Sequence, residues 1–195
     1  TEYREAMEYA GDFAASRHNL GNYYRNTGNL QKAVENFKAA VGIDDLFYPA
    51  KVNLAMIYNQ QGENDKAEDL FREVIRDHPG NGEIYYSLGL LLAEKQNFSK
   101  AAKMLEKAMD IMPERIRISY NLALIYQQSD QPVKAEQTLL RGLGQQPGNF
   151  NLLYALADLY LKQNRKPEAI KIAAKLMELY PEDPTGKQFL QMARQ

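Results

Sequence analysis

Residues 116–149 read IRISYNLALIYQQSDQPVKAEQTLLRGLGQQPGN, and the 34 residues before them, 82–115, read GEIYYSLGLLLAEKQNFSKAAKMLEKAMDIMPER. Aligned without a gap, the two segments share a Leu (Leu88, Leu122), a small residue beside it (Gly89, Ala123), an Ala thirteen positions on (Ala101, Ala135) and a closing Pro (Pro113, Pro147). Extending the register outward gives Leu20, Leu54 and Leu156 at the same 34-residue step, with Gly21, Ala55 and Ala157 beside them. The Ala column continues as Ala33, Ala67 and Ala169. A fixed period of this length is the signature of a stacked repeat array, in which no unit can bury its apolar face alone.

The columns explain themselves physically. Apolar residues recur at three- and four-residue steps, as in Leu20 and Tyr24 and then Ala33, Phe37 and Ala40, which predicts two amphipathic helices per repeat. Small residues beside the Leu and at the Ala column allow the paired helices to approach closely, and a larger side chain there is expected to cost about 1–3 kcal/mol. Thr27-Gly28-Asn29, Gln61-Gly62-Glu63, Gln96-Asn97, Ser129-Asp130 and Asn164-Arg165 lie between the helices, where Gly, Asn and Asp tolerate left-handed backbone. Pro132 and Pro167 suit a first helical turn, where the missing N–H has no partner to lose. Pro79, Pro113, Pro147 and Pro181 end second helices, because the residue before proline is pushed out of helical geometry.

This pattern of Leu-small, Tyr24, Tyr58, Leu92, Tyr126 or Tyr160 four positions later, then Ala, bulky apolar and Pro, resembles the tetratricopeptide repeat family over nearly the whole chain. The family usually carries a Trp three residues before the Leu; here stand Arg17, Lys51, Tyr85, Ser119 and Leu153, a departure expected to touch packing detail only. The resemblance implies an all-α, right-handed α-solenoid of about five helix-turn-helix hairpins, at 14–47, 48–81, 82–115, 116–149 and 150–183. Residues 184–195, with Phe189, Leu190 and Met192 as apolar positions, are expected to form a capping helix over the last apolar edge. Tyr3, Ala6, Met7 and Tyr9 fall in register with a preceding second helix, so residues 1–12 read as its remnant. The chain starts at Thr1 without a basic-then-apolar leader, which suggests a portion processed or cut from a longer protein.

Composition excludes several classes. Lys and Arg number 24 against 25 Asp and Glu, and a net charge of −1 supplies no global field to attract nucleic acid or an anionic bilayer. No apolar run approaches the roughly 18 residues of a membrane span, so the chain is expected to be soluble without membrane insertion. The absence of cysteine removes disulfides and thiolate metal sites but leaves bacterial cytoplasm and periplasm both open. His18 and His78 form no metal-binding pair and no triad, and Gly142, Gly144 and Gly148 lack dinucleotide spacing. Gly186-Lys187 lacks the upstream glycine of a phosphate loop, which is Pro181, and is followed by Gln188. No catalytic residue, cofactor or metal is expected.

The resemblance places first helices along a concave groove that takes a protein or peptide partner. Its lining is expected at His18, Asn22 and Arg25 in the first repeat and at Val52, Met56 and Asn59 in the second. Tyr86 and Leu90, then Tyr120, Leu124 and Gln127, then Tyr154 and Asp158 continue it, giving a Tyr and aliphatic centre with a polar N-terminal end. Tyr and Met suit a surface that accepts a peptide or an amphipathic helix. The competing expectation is that these side chains only pack against the adjacent first helix, since apolar helical stripes are usually core. Some family members clamp acidic chaperone tails with Lys, Asn, Asn, Lys and Arg; the matching positions here are His18, Asn22, Asn53, Glu83 and Ser87. Glu83 would repel such a tail and Ser87 offers no charge-assisted bond. Self-assembly through apolar array ends is a further expectation. Residues 15–24 and 48–55 also resemble the repeat portion attached to bacterial multihaem c-type cytochromes, which implies a docking or accessory domain of a larger protein.

Overall fold

The computed structural model describes residues 13–195, and the expectations for Tyr3, Ala6, Met7 and Tyr9 lie outside the described residues. Among the described residues there are eleven helices and no strand. Two compact units partition the chain, one ending at Lys95 and one spanning Gln96–Gln195.

The first unit contains α1 (Ala14–Asn26), α2 (Leu30–Ile43), α3 (Tyr48–Gln60), α4 (Asn64–Asp77) and α5 (Gly82–Glu94). The second contains α6 (Phe98–Ile111), α7 (Ile116–Gln128), α8 (Pro132–Gln145), α9 (Phe150–Lys162), α10 (Lys166–Leu179) and α11 (Thr185–Arg194). Within each unit, sequence neighbours pack on one another, because the connections are too short for any other partner.

The repeat columns are the core. Leu54, Leu88, Leu122 and Leu156 are buried, as are all five residues of the Ala column. Small size is required rather than merely permitted: a Cβ on Gly21 would lie 2.6 Å from the Phe37 ring. Gly142 on α8 is equally tight, with a Cβ meeting Leu152 Cδ1 at 2.7 Å and Ser119 Cβ at 3.0 Å. Bulk at either position would separate the helices.

The turns share one conformation. Gly28, Gly62, Gln96, Asp130 and Asn164, again 34 residues apart, have φ of 81°, 78°, 57°, 54° and 57°. In the third repeat the left-handed residue is therefore Gln96, and Asn97, with φ −88°, is the residue that opens α6. The expectation that Gly, Asn or Asp fills this position is corrected there: the repeat register, not side-chain preference, fixes the backbone, at a cost of about 1–2 kcal/mol for a non-glycine residue.

The departure from Trp three residues before the Leu does more than alter packing detail. Lys51 is 3% exposed, and its Nζ sits 2.8 Å from Asp45 and 3.1 Å from Glu73. Burial works to lower its pKa, but the hydrogen bonds to Asp45 and Glu73 outweigh it and raise the value. Its counterparts Ser119 and Leu153 are buried in the second unit.

At the C-terminal end, α11 packs on α10 and α9 and buries Phe189 and Ala193. Phe189 joins Leu153, Ala157, Ala173 and Leu176 in one apolar cluster.

Candidate functional site

In the first unit, α1 brings His18, Asn22 and Arg25 onto one face by their three- and four-residue spacing, and α3 supplies Asn53 opposite. Arg25 Nη1 donates to Asn53 Oδ1 at 2.6 Å, which turns the Asn53 amide nitrogen toward His18 Nε2 at 2.8 Å and Asn22 Oδ1 at 3.2 Å. With its oxygen so engaged, Asn22 presents Nδ2 to the same imidazole nitrogen at 3.3 Å. His18 Nε2 therefore accepts, and the ring is neutral with its proton on Nδ1. The ring packs 5.6 Å from Phe37 and 5.4 Å from Phe47 between centroids. Burial, and then the Arg25 charge, hold its pKa below the ordinary histidine value.

The polar end expected of the groove is thus a closed network in which each member serves another. Asn22 and Asn53, the two matches to the acidic-tail clamp, have their amides engaged within it. Asn53 was weighed in the sequence only as part of that clamp, because its partners stand on the preceding repeat, and spacing within one helix does not reveal them.

The remaining first-unit positions differ in exposure. Met56 is 51% exposed on α3, whereas Val52, Asn59, Tyr86 and Leu90 are half-buried. Asn59 Oδ1 is buried without a hydrogen-bond partner. Such an acceptor costs about 1–3 kcal/mol when left unmade.

In the second unit, Leu124 and Gln127 of α7 line a hollow of ≈ 400 Å³ with Pro132 of α8 and Leu159, Lys162 and Gln163 at the end of α9. Gln127 Nε2 is buried without a partner. Gln127 occupies the same repeat column as Asn59, two periods on. Lys162 also pairs with Asp158 at 2.6 Å, so the expected site residue Asp158 forms part of one wall's ion pair. Tyr120 is half-buried on α7. Tyr154 is 44% exposed, yet its ring meets Phe189 of α11 edge-on at 5.1 Å and leans on Phe150 at 6.4 Å. Leu159, Lys162 and Gln163 were absent from the expected lining; the three-residue step from Leu156 to Leu159 could have pointed to the first of them.

Among the described residues no group of three or more His, Cys, Asp or Glu is placed to hold a metal, and no helix is long and apolar enough to cross a membrane. Each unit thus presents half-buried apolar side chains on its first helices and keeps one buried amide atom of the same repeat column without a partner.

Three family models, each described as tetratricopeptide repeat, match the chain at residues 14–45, at 49–114, and at 91–148 and 140–192. The chain belongs to the tetratricopeptide repeat family. These models describe repeats alone and carry nothing of the cytochrome resemblance. A search of curated proteins finds no significant match.

Solved structures share the fold at low identity. YrrB, described as a tetratricopeptide repeat protein with an unusual peptide-binding site, superposes with a TM-score of 0.77 at 18% identity, over 96% of this chain and 97% of that one. MamA from Desulfovibrio magneticus gives 0.77 at 19% identity, over 89% and 98%. A tetratricopeptide repeat protein from Parabacteroides merdae gives 0.80 at 22% identity, over 94% and 73%.

Proposed function

We propose that the chain is a non-catalytic interaction scaffold that holds a peptide or an amphipathic helix of a partner protein on the face of its first helices. The observation that carries this reading is the hollow between α7 and α9, lined by Leu124, Gln127 and Leu159. Leu124 and Leu159 receive an apolar side chain of a bound segment there. The exposed Met56 adds adaptable contact area.

Membership of a family of repeat modules supports the reading, as does the description of YrrB as peptide-binding. The tetratricopeptide hairpins of both units are the scaffold in this proposal, and no metal or cofactor takes part.

The test is retention of partners from a lysate of the source cells by wild type, Tyr86→Glu and Leu124→Glu, after circular dichroism has shown that both variants are helical. A partner held by wild type and lost by Leu124→Glu supports the second-unit site, and loss by Tyr86→Glu supports the first-unit face. Equal retention by all three rejects first-helix recognition.

A further inference from the structure

α7 has a second side. At about 100° per residue, Leu122 and Tyr126 point away from Tyr120 and Leu124. There they form the floor of a separate hollow of ≈ 600 Å³, walled by α6 and α8. Leu122 and Tyr126 are buried at its base with Met109, while Lys103, Lys107 and Arg141 stand exposed at its rim.

The charges around this opening are not balanced. Glu106 accepts a short hydrogen bond from the Tyr126 hydroxyl, and Asp110 pairs with Arg141 at 3.3 Å. Lys134 lies over the Tyr126 ring, 5.3 Å from its centroid. Among the described residues Lys103 and Lys107 have no acidic partner. The unit that holds it has the same sign: residues 96–195 hold 14 Lys and Arg against 10 Asp and Glu, a net +4 in a chain whose total is −1. The Arg141–Asp110 pair is solvent-exposed and worth little, so Arg141 can be recruited by another carboxylate.

We infer that the hollow between α6 and α8 is a second docking site, for an acidic peptide segment that inserts one large apolar side chain onto Met109, Leu122 and Tyr126 beneath the Lys103, Lys107 and Arg141 rim. The volume accommodates an aromatic side chain, and methionine adapts to its shape. The basic rim orients the flanking acids and speeds encounter, giving binding that weakens as salt is raised. This site stands independently of the first-helix face, since it shares no lining residue with the hollow at Leu124 and Gln127.

The test uses the whole chain and two fluorescein-labelled peptides rich in Asp and Glu, one with a central Phe and one with a central Ala. Fluorescence anisotropy at low salt is expected to show saturable binding of the Phe peptide. Lys103→Glu/Lys107→Glu, which alters only exposed positions, should weaken it roughly tenfold, and Leu124→Glu should leave it unchanged. Absence of binding, equal binding by the double variant, or equal binding of the Ala peptide overturns the proposal. Sedimentation of the chain alone distinguishes a second copy as the occupant: self-association abolished by the same double variant, without peptide binding, assigns the hollow to that copy and likewise overturns it.

Discussion

Gly186→Ala is expected to loosen α11 from α10. A Cβ at this position would lie 2.7 Å from Met177 Cγ, 2.9 Å from the Ala173 carbonyl oxygen and 2.9 Å from the Met177 amide nitrogen. The Met177 side chain can swing aside, but the other two atoms belong to the backbone of α10, so relief requires α11 to lift by about half an ångström. A gap of that size forfeits roughly a quarter of the dispersion energy at each contact it opens, here those of Phe189 with the cluster at Leu153, Ala157 and Leu176. Overpacking of this kind costs about 1–3 kcal/mol, against which the helix propensity of Ala returns up to about 1 kcal/mol. A net loss of up to about 3 kcal/mol follows. Urea denaturation measures the total, and amide hydrogen exchange along α11 places it, which matters because repeat arrays unfold in parts. Gly144→Ala on α8 is the control: nothing lies within 4 Å of its Cβ, so it should stabilise by about 0.5–1 kcal/mol. Wild-type stability in Gly186→Ala, with unchanged exchange in α11, would refute the backbone-contact argument.

Four further outcomes are expected. The neutral His18 has a folded-state pKa below 6.5, so the unfolded chain takes up the proton first. Its contribution to stability is complete above about pH 6.5 and declines as pH falls toward the lowered value; pH-dependent denaturation of His18→Gln should show a shallower decline across that window. Lys51→Met replaces a buried cation paired with Asp45 and Glu73 by an apolar side chain of similar length, and thermal melts should show unchanged or raised stability. Gln96→Gly removes a left-handed non-glycine residue and should stabilise by about 1 kcal/mol in urea denaturation. Removal of residues 184–195 exposes the apolar edge formed by Leu153, Ala173 and Leu176, and a lower soluble yield is the expected readout; an unchanged yield rejects the capping role.

The secondary structure was legible because the same five columns recur at a 34-residue step, and each column has a steric reason to recur. Gln96 shows how far that legibility extends. Side-chain preference pointed to Asn97 as the left-handed residue, whereas counting 34 from Gly62 gives Gln96, and the structure has φ 57° there. Lys51 shows where it stops. The position was recognised as departing from the family, but Asp45 lies in the preceding connection and Glu73 on α4, and no periodicity links them to Lys51.

Recognition was harder to read for a related reason. A column that repeats does so because every hairpin needs it to pack, so it carries no information about a particular partner. The column five positions after the Leu holds Arg25, Asn59, Ala93, Gln127 and Leu161, five different side chains. Arg25 turns inward and orders Asn53, while Asn59 and Gln127 each keep a buried amide atom without a partner. The packing of the hairpins does not require these choices, and at Asn59 and Gln127 they cost stability. In the proposed function, the contacts that distinguish one partner from another are therefore sought at the variable column and not at the repeated ones.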